Sequence, residues 1–378
     1  VTPFEIMQRH YQQRDLAARE WQRNGGKVVG YLCDNVPEEL ITAAGFLPLR
    51  LSGDPEGGTE TVGEYWDEGL VFFREGFVAS MLYRILHGAY DFLDYLVIPH
   101  ARDSVHRLYT ALLREQREQP QRRLPELAYL DSLHTTFFRT GIYNRAREIE
   151  LQQTLERWSG RGMTREALQQ AVALSNESRR LLKQLAALRA ADPPRVTGVE
   201  ALQIIGSSMF MPRQQHNELL AGFLGGADAG AAHGGIRLYV VGSPMDNLQF
   251  YELVESCGAT VVGEDNCWGN RWSDVPIDPA LEPLEGIIDR YARKSPCPRM
   301  YPLRRRIDYC LGNALQCRAQ AVVFNVQHMD EMLALEIPDH IRALEARGIR
   351  SLHLSNQPYR IAEPEPIRAT LRDFLRTI

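Results

Sequence analysis

Residues 28–54, VVGYLCDNVPEELITAAGFLPLRLSGD, leave the chain few ways to fold locally. VVGYL is a short apolar run of the kind a buried strand presents. Asp34 and Asn35 make a polar turn after it. Pro37 then sits where the first turn of a helix tolerates a residue without an amide hydrogen. Glu38 and Glu39 follow at the positive end of the helix dipole. Gly45 ends the helix, and FLPLRL resumes as a strand. The result is a strand–helix–strand unit with its first loop at a strand's carboxyl end.

The same alternation continues. Residues 4–24 read as a helix stopping near Gly25 and Gly26. Phe77, Met81, Leu82, Ile85 and Leu86 have helical spacing, Gly88 closes that helix, and YLVIP is another buried strand. HARDSVHRLYTALLRE is helical again. From about 140 to 224 the chain is rich in Arg, Glu, Gln, Leu and Ala and reads as helical. AGFLGGADAGAAHGG, residues 221–235, is a Gly/Ala-rich linker. Its HGG at His233 has no accompanying nucleophile elbow, so the linker reading stands. A second run of strands and helices starts with IRLYVVGSP and includes MDNLQFYELVESCG, ATVVGED, IDYCLGNALQCRAQ, AVVFN, IPDHIRALEARG, IRSLHLS and the last helix, IRATLRDFLRTI. The expected fold is α/β: two Rossmann-like parallel-sheet domains with an intervening helical segment. The boundaries are an N-terminal α/β domain over 1–139, the helical segment and linker over 140–235, and a C-terminal α/β domain over 236–378.

A net charge of -5 gives no basic face for nucleic acid. The triplet Arg304, Arg305 and Arg306 reads as a solvated helix face. No run reaches the ~18 apolar residues of a membrane span. The first residues do not show a secretory signal pattern, so the expected location is cytoplasmic. The cysteines at 33, 257, 267, 297, 310 and 317 form no C-x-x-C pair, which argues against a zinc ribbon.

Several blocks, in order, resemble the 2-hydroxyacyl-CoA dehydratase and benzoyl-CoA reductase family. They are the opening unit, YDFLDYLVIP, the stretch RLYVVGSPMDNLQFYELVESCGATVVGEDNCWGNRW with Glu264, Asp265, Cys267 and Arg271, SPCPRM around Cys297, and the closing helix. The closing block departs from the family in having Glu365 and Pro366 where a Gly-Gln is usual. The resemblance implies iron–sulfur proteins that reduce or dehydrate CoA thioesters, in which homologous subunits pair and an activator delivers electrons.

It also implies three cluster cysteines at an interdomain cleft. Counting sixteen residues back from Asp91 places the first at Glu75. The P-x-x-C-D block reads Pro99, His100, Ala101, Arg102, Asp103, which places the second at Arg102. Counting from Phe324 and from Pro338 places the third at Asp330. Carboxylates and a guanidinium cannot replace thiolates on iron as a set. No cofactor is therefore expected at this site, no metal is expected in its place, and a 4Fe-4S cluster is expected in a partner subunit if a complex forms. Cys33 and Cys267, each in a polar loop, are the alternative thiol ligands. Glu75 and Asp330 are the candidate acid–base residues. Glu38, Glu39, His100, Arg271 and His328 are the substrate-binding candidates, with hydrogen-bonded or ion-paired structure as their plainer role.

The expected function is a cluster-free subunit or homologue of such a complex, supplying a pairing surface and part of a CoA-thioester pocket. The expected partner is a homologous subunit, in a homodimer or heterodimer. The alternatives are a catalytic iron–sulfur subunit using non-standard ligands, and a repurposed small-molecule binding protein or acid–base enzyme.

Overall fold

The computed structural model describes residues 1–57, 75–226 and 232–378. Two four-stranded sheets, parallel throughout, form the frame. The first contains β1 (Val28–Tyr31), β2 (Leu47–Arg50), β3 (Tyr95–Pro99) and β4 (Glu126–Leu130) in the order β2-β1-β3-β4. The second contains β5 (Ile236–Gly242), β6 (Ala259–Asp265), β7 (Ala321–Gln327) and β8 (Arg350–Gln357) in the order β6-β5-β7-β8. The two orders are the same, although no repeat is visible residue by residue. The fold is α/β with two Rossmann-like sheets.

The helices are α1 (Pro3–Gln12), α2 (Leu16–Arg23), α3 (Glu38–Ala43), α4 (Gly76–Leu86), α5 (Asp103–Glu118), α6 (Phe138–Ser159), α7 (Arg165–Ala190), α8 (Gly198–Ser207), α9 (Arg213–Gly225), α10 (Gln249–Glu255), α11 (Pro283–Arg293), α12 (Leu303–Gln316), α13 (Glu331–Glu345) and α14 (Pro364–Leu375). Helices on both faces require strands that are apolar on both faces, and the second sheet illustrates it. Leu238, Val240, Ala321 and Val323 point into the main core. The residues between them, Tyr239, Val241, Val322 and Phe324, join a separate cluster with Cys310, Ala314, Leu333 and Ile337 from α12 and α13. In the first sheet Gly30 lets its neighbours close in. A Cβ there would lie 2.7 Å from both Leu51 and Leu93 side chains.

Several expectations need correction. The helix over 4–24 is broken: α1 ends at Gln12, and α2 begins at Leu16. The Arg14 side chain turns back at the break, its Nε donating to the Tyr11 carbonyl at 3.1 Å. The linker begins later than expected, because residues 221–225 complete α9; residues 227–231 lie outside the described set. His233 donates its backbone amide to the Pro194 carbonyl at 2.8 Å. Helix α13 starts six residues before IPDHIRALEARG and carries Pro338 within it. Strand β4 and helix α11 were not anticipated.

The long helix α7 ties the halves together. Arg179 pairs with Glu39 of α3, and Arg189 forks onto Glu264 of β6 at 2.9 and 2.6 Å. A second tie centres on Asp246, which is fully buried. Its carboxylate accepts from the Gly53 amide at 2.8 Å and from the Tyr359 hydroxyl at 2.9 Å, with Arg14 at 3.9 Å. Asp246→Ala leaves these buried donors without an acceptor and is expected to cost about 3–5 kcal/mol, whereas Asp246→Asn, which keeps one acceptor, costs less. Urea midpoints measure this; equal midpoints for Asp246→Ala and wild type would remove Asp246 as a tie.

Candidate functional site

In a parallel sheet the loops at the carboxyl ends of the strands are free to hold side chains for a ligand or a neighbour. Here those loops come from both sheets and meet. Arg102, just beyond β3, reaches across to Asp330, just beyond β7, with Nη2 to Oδ2 at 3.4 Å. Its Nη1 pairs with Glu75, the residue before α4. Asp330 also accepts from Ser243 Oγ, beyond β5, at 2.8 Å, and faces Arg299 at 3.5 Å. The side chains of Arg102, Glu75 and Asp330 are 10%, 15% and 2% exposed, so water screens this network little.

Burial by itself would discourage ionisation of Asp330. Arg102, then Arg299 and the Ser243 hydroxyl, outweigh it and hold the carboxyl below the usual aspartate range. Burial likewise opposes the charge on Arg102, and Asp330 and Glu75 restore it with a margin.

An iron–sulfur cluster takes soft thiolate donors. The three convergent positions present two hard carboxylates and a guanidinium with no lone pair to give. This donor set does not fit a cluster.

The two thiols from the polar loops are also at this cleft. Cys33 follows β1 with a left-handed backbone, φ 58°. Burial first, and then the neighbouring Cys267, push its thiol up to about 12, against the pull of Arg50 and Arg102. Cys267 follows β6 and receives Arg50 at two atoms, Nη1 to its carbonyl at 2.8 Å and Nη2 to Sγ at 3.1 Å. Arg50 lies over the Trp268 ring at 4.1 Å and near Trp272 at 5.6 Å. A cation on aromatic faces is attracted by the rings, which adds to the bonds holding Arg50 at this corner of the cleft.

The other candidates divide by location. His100 Nδ1 meets Asp131 Oδ1 at 2.7 Å, and Tyr143 donates to the second oxygen of Asp131 at 2.5 Å. His328 is exposed and bonds Asn356 at 2.5 Å. Arg271 is buried, 3.3 Å from Asp265, and shares that aspartate with Arg306. Glu38 and Glu39 face away from Arg102, towards the helical segment. Glu38 pairs with Arg213, and Glu39 with Arg179 and with the Tyr291 hydroxyl at 3.0 Å. The structure thus gathers Glu75, Arg102, Asp330, Cys33 and Cys267 and does not bring Glu38, Glu39 or His328 to them.

Sequence reading missed Arg50, Asp34, Lys294, Arg299 and Ser243. Lys294 Nζ pairs with Asp34 Oδ2 at 2.7 Å, both buried. It also misjudged the arginine triplet. Arg304 is exposed, but Arg306 is 1% exposed and joins Asp265 at 2.6 Å to Glu336 at 3.0 Å. Helical periodicity gives a usable signal there, since Arg306 shares a face with the buried Cys310.

Removing Arg102 leaves Asp330 with only Arg299 nearby and Glu75 with no counter-ion in this network. Arg102→Ala is expected to cost about 3–5 kcal/mol by chemical denaturation. Adding Glu75→Gln and Asp330→Asn should recover part of it, and no recovery would mean that the loss is packing alone. Asp330, Asp34 and Glu39 are all more acidic folded than free. Each binds fewer protons in the folded protein, so their stabilisation is complete above about pH 5. It drains away as pH falls through the unfolded values near 4 and then the lower folded values. Urea midpoints between about pH 5 and 3 should fall less steeply for Asp330→Asn than for wild type; an unchanged slope would count against the assignment.

Comparison with known proteins identifies the family of the chain. The sequence profile described as "2-hydroxyglutaryl-CoA dehydratase, D-component" matches residues 33–374. The chain is similar to one of the subunits of benzoyl-CoA reductase from Thauera aromatica, 25% identical over 75% of this chain and 74% of that one. It is similar to the (R)-phenyllactyl-CoA dehydratase beta subunit of Clostridium sporogenes, 21% identical over 95% and 94% of the two chains. The beta subunit of lactoyl-CoA dehydratase from Anaerotignum propionicum is 21% identical over 97% and 98%. The match runs from Cys33, just after β1, to the last turn of α14, and the chain belongs to the 2-hydroxyglutaryl-CoA dehydratase D-component family.

Proposed function

We propose that this chain is a subunit of a 2-hydroxyacyl-CoA dehydratase- or benzoyl-CoA reductase-type complex, and that an ion-pair network closes its own cleft where the family resemblance implies a cluster. The observation that carries the reading is the Arg102 guanidinium between Glu75 and Asp330. A permanent cation anchored by two carboxylates occupies the space in which three thiolates would have to converge. The chemistry then belongs to a cysteine-complete homologous subunit holding the 4Fe-4S cluster. This chain contributes a pairing surface and part of a CoA-thioester pocket.

The rival reading, iron held by Cys33 and Cys267, has less support. Arg50 already engages Cys267 Sγ, and the Cys33 thiol resists ionisation. Acid–base catalysis through Glu75 and Asp330 would need a carboxylate free to move a proton, and both are engaged by Arg102. Among the described residues no helix is long and apolar enough to cross a membrane.

Anaerobic purification of the chain alone, with iron and sulfide assays, tests the first half of the proposal. The expected result is no stoichiometric iron; about four irons per chain would overturn it. Co-expression with a cysteine-complete homologue from the same genome, followed by light scattering, tests the second half. A mixed complex with iron only in the partner is expected, and a chain that stays monomeric beside every such homologue would defeat it.

A further inference from the structure

A cavity of about 390 Å³ has Lys294, the ion-pair partner of Asp34, on its wall. It is bounded by the stretch after β4, the inner face of α6 and the segment linking α11 to α12. Its volume falls within the ordinary range for a small-molecule site. Three properties of the lining define what would fit.

The first is Glu148. It lines the cavity, is 5% exposed, and its Oε2 is buried without a hydrogen-bond partner. A buried polar atom with no partner is uncommon in a native fold and invites an explanation. Burial, and then the nearby Glu39 and Glu285, push this carboxyl well above the usual glutamate range. The protonated form is favoured by these surroundings, and in that form the group has a proton to donate and nothing in the described structure to receive it.

The second is Arg305. It is half-buried on the cavity wall, and no carboxylate of the described residues lies within ion-pair reach. The other cations on the wall are engaged: Lys294 with Asp34, and Arg293 with Asp289. Among the described residues the lining therefore presents one cation, Arg305, without an ion-pair partner.

The third is the apolar rim. Leu133, Phe137 and Met300 line the cavity, and the first two remain largely open to solvent.

We propose that this cavity is a binding site for a small organic carboxylate, with one ligand oxygen accepting from the Glu148 carboxyl, the negative charge facing Arg305, and the apolar body lying on Leu133, Phe137 and Met300. A neutral acid beside an anion is a favourable pairing, because the proton is shared between two carboxyl oxygens and the site bears one net charge instead of two. An ionised Glu148 would repel the same ligand, and a cationic ligand would meet Arg305. A wholly apolar ligand would leave the Glu148 oxygen as it is, buried and unsatisfied. The site uses none of the residues of the Arg102 network, so it stands or falls apart from the proposed function.

Calorimetric titration of the full chain with hexanoate and with hexanamide tests the proposal. Hexanoate is expected to bind saturably, one per chain, and hexanamide about tenfold more weakly or not at all. Arg305→Gln should weaken hexanoate by about tenfold, and Glu148→Ala by a similar factor. Glu148→Gln, which keeps an N–H donor, should stay within about threefold of wild type. If Glu148→Ala does not fold, the Arg305→Gln variant and the amide comparison still decide. Hexanoate that does not saturate, hexanamide binding as tightly as hexanoate, or affinity unchanged in Arg305→Gln would each overturn the proposal. None of these outcomes alters the iron assay or the co-purification result, so the two readings fail separately.

Discussion

A guanidinium cannot shed its charge, and that fact organises the centre of this protein. Once Arg102 is taken out of water, it needs carboxylates at the edges of its plane, where its N–H groups point. They come from places far apart in the chain: Glu75 before α4 and Asp330 at the start of α13. Their meeting requires the carboxyl ends of the two sheets to face each other at a set distance. The same demand recurs outward from the cleft. Arg306 joins Asp265 to Glu336, Arg189 holds Glu264, and Arg179 and Arg213 hold the two glutamates of α3. Each pair crosses between elements, so a shift of one layer breaks several of them together.

Such pairs are poor evidence for net stability, because the cost of desolvating both partners offsets most of their attraction. Their larger effect is on which arrangement wins. Apolar packing between helices and sheets tolerates sliding and repacking. A buried arginine tolerates neither, since a misaligned state strands a charge. The hydrophobic clusters make the two halves compact, and the arginines then select a single docking of one upon the other.

The fold was largely legible in the chain, for a plain reason. Strands buried on both faces need continuous apolar runs, and VVGY, YLVIP and AVVFN are such runs. Strand β4 escaped because it lies at the edge of its sheet, and ELAYL, mostly half-buried, is not a continuous apolar run. The start of α13 was hidden by Pro338, which reads as a boundary although the helix accommodates it. The three-residue convergence at the cleft came through resemblance and counting, because no local pattern links positions 75, 102 and 330. The arginine partners of Glu38 and Glu39 were not legible at all. Nothing in the sequence around those glutamates shows that Arg179 and Arg213 will lie against them, so helix-dipole charge looked like a complete explanation.

The two unpaired features of the lining are informative because the main charged groups of the adjoining cleft are ion-paired. In the cleft every carboxylate has a cation: Asp330 has Arg102 and Arg299, Asp34 has Lys294, and Asp265 has Arg271 and Arg306. A fold that spends this many arginines on its acidic groups had the same means available for Glu148. It instead buries Glu148 beside Glu39 and Glu285, which together raise its pKa, and leaves Arg305 on the wall of the same cavity. Closed and open polar regions therefore adjoin at Lys294, which pairs with Asp34 and lines the cavity. On the closed side the charged groups named above are paired among the described residues, and there is little reason for a ligand to enter. On the open side one donor and one cation have no partner among the described residues, and that is the side on which binding chemistry is physically favoured.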